Sequence, residues 1–338
     1  MIIHGFSWQS SVFSRLLPFA EAHNTRIVLI NRRGYPGSTP FGAKELQQMI
    51  SFIMESPKSP TSLLNFMEER ARELYDFIAA YIESEGITKE GGITIAGWSM
   101  GSLWINALLT FGPTFPIGNF PIADYIRALT AYDAPGLTLG YPPPLNAYNP
   151  LTHPSLSPDD RIKAFPRWVS SYYAHGESPT KLELRDAMSN PPPTITKMSQ
   201  GELDLHLYTP PGSPDGCDAI LVIFGVKYKI FERLRKAALF PDDKIQVSNE
   251  QTTKQADNTR NWQSIALRWV WCDHSIWEAP HAYWCLKEEL QEAQGSGKQA
   301  RQVDFIRLRG ANHYLHWEEP ERALLALLGK NDNGKFKL

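Results

Sequence analysis

Ser99 lies in Gly97-Trp98-Ser99-Met100-Gly101, directly behind the apolar run Ile93-Thr94-Ile95-Ala96 and ahead of the helical pattern Leu103, Trp104, Ala107, Leu108. A serine hydroxyl is a poor nucleophile unless a base takes its proton as it attacks. A Gly-x-Ser-x-Gly between strand and helix supplies the mechanical part of such chemistry: the chain reverses sharply and holds the hydroxyl exposed on a strained turn. Side chains at 97 and 101 would collide with the neighbouring strand and helix, which is why glycine is needed at both. An ordinary Gly-rich loop is the plain alternative for the same five residues. The flanking strand and helix favour a nucleophile, which then requires a histidine on a loop at the same edge of the sheet. The chain has nine histidines. His313, in Gly310-Ala311-Asn312-His313-Tyr314-Leu315-His316, follows the last apolar run and precedes the terminal helical pattern; His316 is read as a supporting or surface residue.

The elements that must position these groups are visible in the hydrophobic pattern. Arg26-Ile27-Val28-Leu29-Ile30-Asn31 reads as a buried strand ending in the tight loop Arg32-Arg33-Gly34-Tyr35-Pro36-Gly37. Met67, Ala71, Leu74, Phe77/Ile78 and Tyr81/Ile82 have helical spacing between about Thr61 and Glu85, with Gly86 as the stop. Further strands are expected at Arg127–Tyr132, Ile265–Trp271 and Asp304–Arg309, and helices at 278–293 and 319–329. Strand and helix in alternation predict a mostly parallel sheet covered on both faces. Between Gly136 and Arg260 this alternation stops, prolines cluster at 142–144 and 191–193, and Gln251–Asn261 reads as a polar loop. The expected organisation is a core of residues 1–136 and 262–338 with 137–261 inserted as a lid over the C-terminal ends of the strands. Within the insertion, Lys227–Lys236 reads as the solvated basic face of an amphipathic helix. Met1-Ile2-Ile3-His4-Gly5-Phe6 reads as the end of a buried strand, so an N-terminal hairpin is expected to be missing, leaving 26–31 at the sheet edge where two copies could pair as a homodimer.

His4-Gly5-Phe6 after a first strand, the Ser99 turn, and Gly310-Ala311-Asn312-His313 followed by Glu319-Pro320-Glu321 together resemble the α/β-hydrolase superfamily. The resemblance spans both ends of the chain but not the insertion. It implies an α/β-hydrolase fold, His313 as base, and an oxyanion hole made by the main-chain N–H groups of Met100 and Phe6. It also places the acid that orients the histidine after the next-to-last strand, in a Gly-x-x-Asp-like loop. Here Cys272-Asp273-His274-Ser275 puts uncharged Ser275 at that place and Asp273 two residues early. Asp133, in Ala131-Tyr132-Asp133-Ala134-Pro135, ends the strand after the turn's helix, and fungal lactonases that open zearalenone are similar at this point. Asp133 is the preferred acid and Asp273 the alternative. The segment Asn31–Pro40 resembles uncharacterised fungal α/β hydrolases.

Composition narrows the partners. A net charge of -2 with mixed signs gives no electrostatic case for nucleic acid or an anionic membrane. Cys217, Cys272 and Cys285 are scattered without ligand spacing, which reads as free thiols rather than a disulfide framework or a zinc site. No membrane span or signal peptide is legible, so a cytoplasmic protein is expected. Trp8, Trp98 and Tyr314, with Phe6, flank the catalytic candidates and are expected to line an aromatic pocket for a small hydrophobic ester, thioester or lactone. No metal or organic cofactor is called for. A C–C bond hydrolase or acyltransferase with the same residues, or a ligand-binding relative without turnover, are the competing functions.

Overall fold

The structure, a computed structural model, describes residues 1–241 and 253–330. Six parallel strands form one sheet in the order β2-β1-β3-β4-β5-β6: β1 (Ile2–Ile3), β2 (Leu29–Ile30), β3 (Ile93–Trp98), β4 (Ile126–Tyr132), β5 (Leu267–Cys272) and β6 (Val303–Leu308). β2 at the edge is shorter than its apolar run; beyond the paired residues its contact with β1 extends to the Ile2 N–H on the Val28 carbonyl. β1 lies between β2 and β3, so the residues after Ile3 emerge beside the end of β3.

Helices α1 (Ala43–Ile53), α2 (Ser59–Glu85), α3 (Ser102–Phe111), α4 (Pro158–Val169), α5 (Gln200–His206), α6 (Cys217–Lys227), α7 (Ile230–Leu239), α8 (Thr253–Ser264), α9 (Glu278–Gly295), α10 (Leu315–Glu318) and α11 (Pro320–Leu327) surround the sheet. α2 buries Leu63, Met67, Ala71, Leu74, Ile78 and Ile82, one face at three- and four-residue spacing, and stops at Gly86 in the left-handed conformation. Residues 253–261, read from sequence as part of a polar loop, are helical within α8, whose Trp262 is fully buried against Tyr75 and Gly112. One buried indole anchors a helix that its polar composition does not announce; Gln251 and Thr252 lie outside the described residues.

Alternation along the strands divides the core in two. Leu267, Trp269 and Trp271 of β5 join an apolar cluster with α2, α3, α7 and α9. Val270 and Cys272 point the other way, into a cluster with α4, α10, α11 and Val12, Phe13 and Leu16 of a 3-10 segment (Ser10–Phe19). The stretch between β4 and β5 supplies both clusters: Phe165 and Trp168 of α4 to the second, Ile220, Phe231 and Leu234 of α6 and α7 to the first. Lys229, in the left-handed region, breaks 227–236 between α6 and α7. Among the described residues no helix is long and apolar enough to cross a membrane.

Candidate active site

Ser99 occupies the bend between β3 and the helical turn Ser99–Gly101 that leads into α3, with φ +53°. A non-glycine residue in this region is strained, and here the strain is held by close packing of the bend. A Cβ on Gly97 would fall on the Gly101 carbonyl, and one on Gly101 would lie 2.6 Å from the Ile3 oxygen of β1. The turn is thus clamped between its own helix and the neighbouring strand, with Met100 in the first turn, where N–H groups lack intrahelical acceptors.

Asp133 directly follows β4, also at positive φ (+47°), and its carboxylate reaches across to the loop behind β6. His313 Nδ1 donates to Asp133 Oδ2 at 2.5 Å, both side chains being at most 1% exposed. The same carboxylate accepts the Cys272 N–H at 2.7 Å and the Ser275 hydroxyl at 2.6 Å. Since a carboxylate oxygen accepts, the proton of the pair lies on Nδ1, and Nε2 is left as an acceptor. That Nε2 is buried and has no hydrogen-bond partner among the described residues. Trp98, next to Ser99 in the chain, donates its indole N–H to the His313 carbonyl at 3.0 Å, with the two rings 4.9 Å apart. Serine and histidine are therefore brought to one corner of the sheet.

Asp273 does not join them. Its oxygens accept the Gly310 N–H at 2.6 Å and Arg307 Nε at 2.9 Å, tying down the start of the loop that carries His313. Asn312 fixes the other side of that loop by donating to the Ser170 carbonyl and the Thr194 hydroxyl, both from the stretch between β4 and β5. His316 is buried under Phe13, Trp98 and Tyr132, and burial together with the nearby His313 holds its pKa well below the usual imidazole value.

Trp8, Trp98 and Tyr314, expected as pocket walls, are fully buried and pack edge-to-face on one another, at 5.2 Å for both Trp8–Tyr314 and Trp98–Tyr314. They belong to the second apolar cluster, together with Val12, Phe13 and Leu16 of the 3-10 segment that follows Trp8. Phe6 is only partly buried and meets Phe165 of α4 at 5.3 Å.

Phe6 follows Gly5, whose backbone lies against Ser99: a Cβ on Gly5 would lie 3.3 Å from Ser99 Oγ. Around this loop is a buried polar cluster that sequence reading did not find. Arg32 pairs bidentately with Asp218 at 2.8 and 2.6 Å, and Tyr35 donates to the same carboxylate at 2.5 Å. Burial works against the Arg32 charge, yet the Asp218 carboxylate outweighs it and raises the guanidinium pKa. Burial, followed by the Asp218 charge, pushes the Tyr35 phenol well up. The loop Arg32–Gly37 is legible in sequence only as a turn, and nothing about Cys217-Asp218 at the start of a helix marks it as a partner.

The family model described as Alpha/beta hydrolase family matches residues 1–327. No curated protein sequence matches. Solved structures similar in fold include a pyrethroid hydrolase from Sphingobium faniae JZ-2, 14% identical, covering 97% of this chain and 94% of that one, with a TM-score of 0.43. A bromoperoxidase from Bacillus anthracis is 14% identical over 97% and 90%, TM-score 0.44. A peroxisomal α/β-hydrolase from Saccharomyces cerevisiae is 11% identical over 96% and 74%, TM-score 0.44.

Proposed function

Since the chain belongs to the alpha/beta hydrolase family, whose fold serves many chemistries, we propose from the site itself that it is a serine hydrolase. The observation that carries the reading is the 2.5 Å Asp133–His313 bond, which leaves Nε2 unpaired at the corner where Ser99 sits on a left-handed turn. Ser99 Oγ attacks the carbonyl carbon while His313 Nε2 takes its proton. Asp133 holds the ring in the required tautomer and stabilises the imidazolium. The Met100 and Phe6 N–H groups receive the charge that develops on the carbonyl oxygen. As the carbon–oxygen or carbon–sulfur bond breaks, the imidazolium returns the proton to the leaving group. Water, deprotonated by His313, then releases the acyl group from Ser99.

The substrate class is a small hydrophobic ester, thioester or lactone, with residues 137–261 acting as a lid. The partly buried Phe6–Phe165 pair supports an apolar acyl group. The lactone branch rests on Asp133 followed by Ala134 and Pro135, the resemblance to fungal zearalenone lactonases. A fluorophosphonate probe and a panel of p-nitrophenyl esters and aromatic lactones test the reading. Labelling that is lost in Ser99→Ala, with turnover of at least one ester or lactone, is expected. Labelling without hydrolysis would point to acyl transfer, C–C cleavage or ligand binding, and no labelling would end the covalent mechanism.

A further inference from the structure

Phe6 can serve the oxyanion only if its N–H faces Ser99, and that direction is controlled from the far side of the peptide. In a trans peptide C=O and N–H point in opposite directions. The Gly5 carbonyl, on the same peptide as the Phe6 N–H, accepts from Arg32 Nη2 at 2.9 Å and from His4 Nδ1 at 3.0 Å. His4 Nε2 in turn accepts the Arg32 main-chain N–H at 3.0 Å, so the ring proton lies on Nδ1 and the imidazole is a donor to Gly5. The next peptide is held as well: the Ser7 N–H donates to the Tyr35 hydroxyl at 2.9 Å. Phe6 thus stands between two pinned peptides, and its own N–H makes no hydrogen bond among the described residues.

Two of these holds, the Arg32 guanidinium and the Tyr35 hydroxyl, end on Asp218. Its carboxylate takes both terminal nitrogens of Arg32 and the Tyr35 hydroxyl, and it is 2% exposed. The guanidinium is further enclosed by the Trp104 and Tyr35 rings, with its carbon 4.5 and 4.9 Å from their centroids. A buried ion pair is weak evidence of stability, because apolar residues of like volume often stabilise as well or better. What this one supplies is direction, since the guanidinium fork fits the carboxylate on one side and main-chain carbonyls on the other.

We propose that Asp218, carried on α6 from the stretch between β4 and β5, is a positioning residue for the oxyanion hole, acting through Arg32 and Tyr35 on the peptides around Phe6. The inference rests on the serine-hydrolase reading and adds that the site is complete only when α6 is docked. The cationic donor also polarises the Gly5–Phe6 peptide and makes its N–H a stronger donor to an oxyanion.

The test is Asp218→Asn, assayed for kcat and KM on a p-nitrophenyl ester and for affinity toward a trifluoromethyl ketone analogue, whose adduct with Ser99 carries the oxyanion. A roughly 10- to 100-fold fall in kcat is expected, matched by weaker ketone binding, with KM within about threefold; loss of a whole donor costs more. Equal kcat in the folded variant, or a loss confined to KM, overturns the proposal. Should Asp218→Asn not fold, the paired change Arg32→Met with Asp218→Leu keeps the volume apolar, and Tyr35→Phe keeps the ion pair; either one folded with wild-type kcat and ketone affinity overturns it. Labelled, active wild type with unaffected variants refutes this inference alone. A wild type that takes no fluorophosphonate and cleaves no ester refutes the serine-hydrolase reading and this with it.

Discussion

Two buried hydrogen-bonded pairs, each built on a carboxylate, flank the Ser99 turn, and they are finished differently. Asp133–His313 joins the ends of β4 and β6; Arg32–Asp218 joins the loop after β2 to the first turn of α6. In the second, all three guanidinium nitrogens have partners: Nε on the His4 carbonyl, Nη1 on Asp218, Nη2 on Asp218 and Gly5. In the first, the carboxylate is filled by Cys272, Ser275 and His313, yet His313 Nε2 is left unpartnered among the described residues. A group left with an open valence in a buried site is placed to react, and one with every valence used is placed to hold. The difference sets the two pairs apart more sharply than burial or bond length does, since those are alike in both.

The comparison breaks first at the reacting side. Ser99→Ala and His313→Ala are each expected to lower kcat by roughly 10⁴-fold or more with the fold intact, and the double variant by little beyond either. Additive losses would show that the two do not act as one unit. Asp133→Asn keeps size and disfavours the tautomer with the proton on Nδ1, and should cost roughly 10³- to 10⁴-fold in kcat, well beyond the effect expected of Asp218→Asn. If the two asparagine variants lose equally, the distinction between reacting and holding pairs falls.

Ser275 sharpens it. The residue standing where the resemblance would put an acid donates instead to Asp133 Oδ2, the oxygen that also accepts from His313, so Ser275→Ala should remove one of that oxygen's two donors and lower kcat about 3- to 10-fold with KM unchanged. An unaltered kcat would make that hydrogen bond dispensable. Asp273→Asn is expected to leave kcat within about threefold and to lower stability by about 1–2 kcal/mol, read as a lower thermal midpoint, because it weakens hydrogen bonds that tie the base loop. A large loss of kcat in a stable Asp273→Asn would restore it as the acid.

Glu278, buried at the start of α9 with Asn149 on one oxygen, lies outside both pairs and gives an effect set by pH. Burial raises its pKa from 4.5 to about 7, against the Asn149 hydrogen bond that lowers it. The folded state binds the proton more tightly than the unfolded chain. Its contribution to stability is therefore full below about 4.5 and is lost as pH rises through 7. Glu278→Gln should raise the thermal midpoint at pH 8, by on the order of 1–3 kcal/mol in stability, and change it little at pH 4.5. A gain of the same size at both values would contradict this.

Much of the molecule was legible because local chemistry dictates it. Apolar runs alternating with 3.6-residue periodicity compel strands and helices, and a strand-Gly-x-Ser-x-Gly-helix sequence can close only as a bend with Ser99 at its tip. His313 was legible from its place after the last run, and Asp133 and Asp273 could both be listed by the same logic. Telling which of them meets His313 required distances, since 180 residues separate Asp133 from His313 and the parallel register of β4, β5 and β6 brings them together. Trp8, Trp98 and Tyr314 show the opposite failure: adjacency in sequence to reactive residues suggested a pocket, but in a chain covered on both sheet faces the largest aromatic groups fill the core. Composition settled that Arg32 and Asp218 carry charges, and tertiary structure alone made them partners. Coulomb attraction in the interior acts between whatever groups the fold brings within hydrogen-bond reach, and no periodicity in the chain encodes a contact across 186 residues.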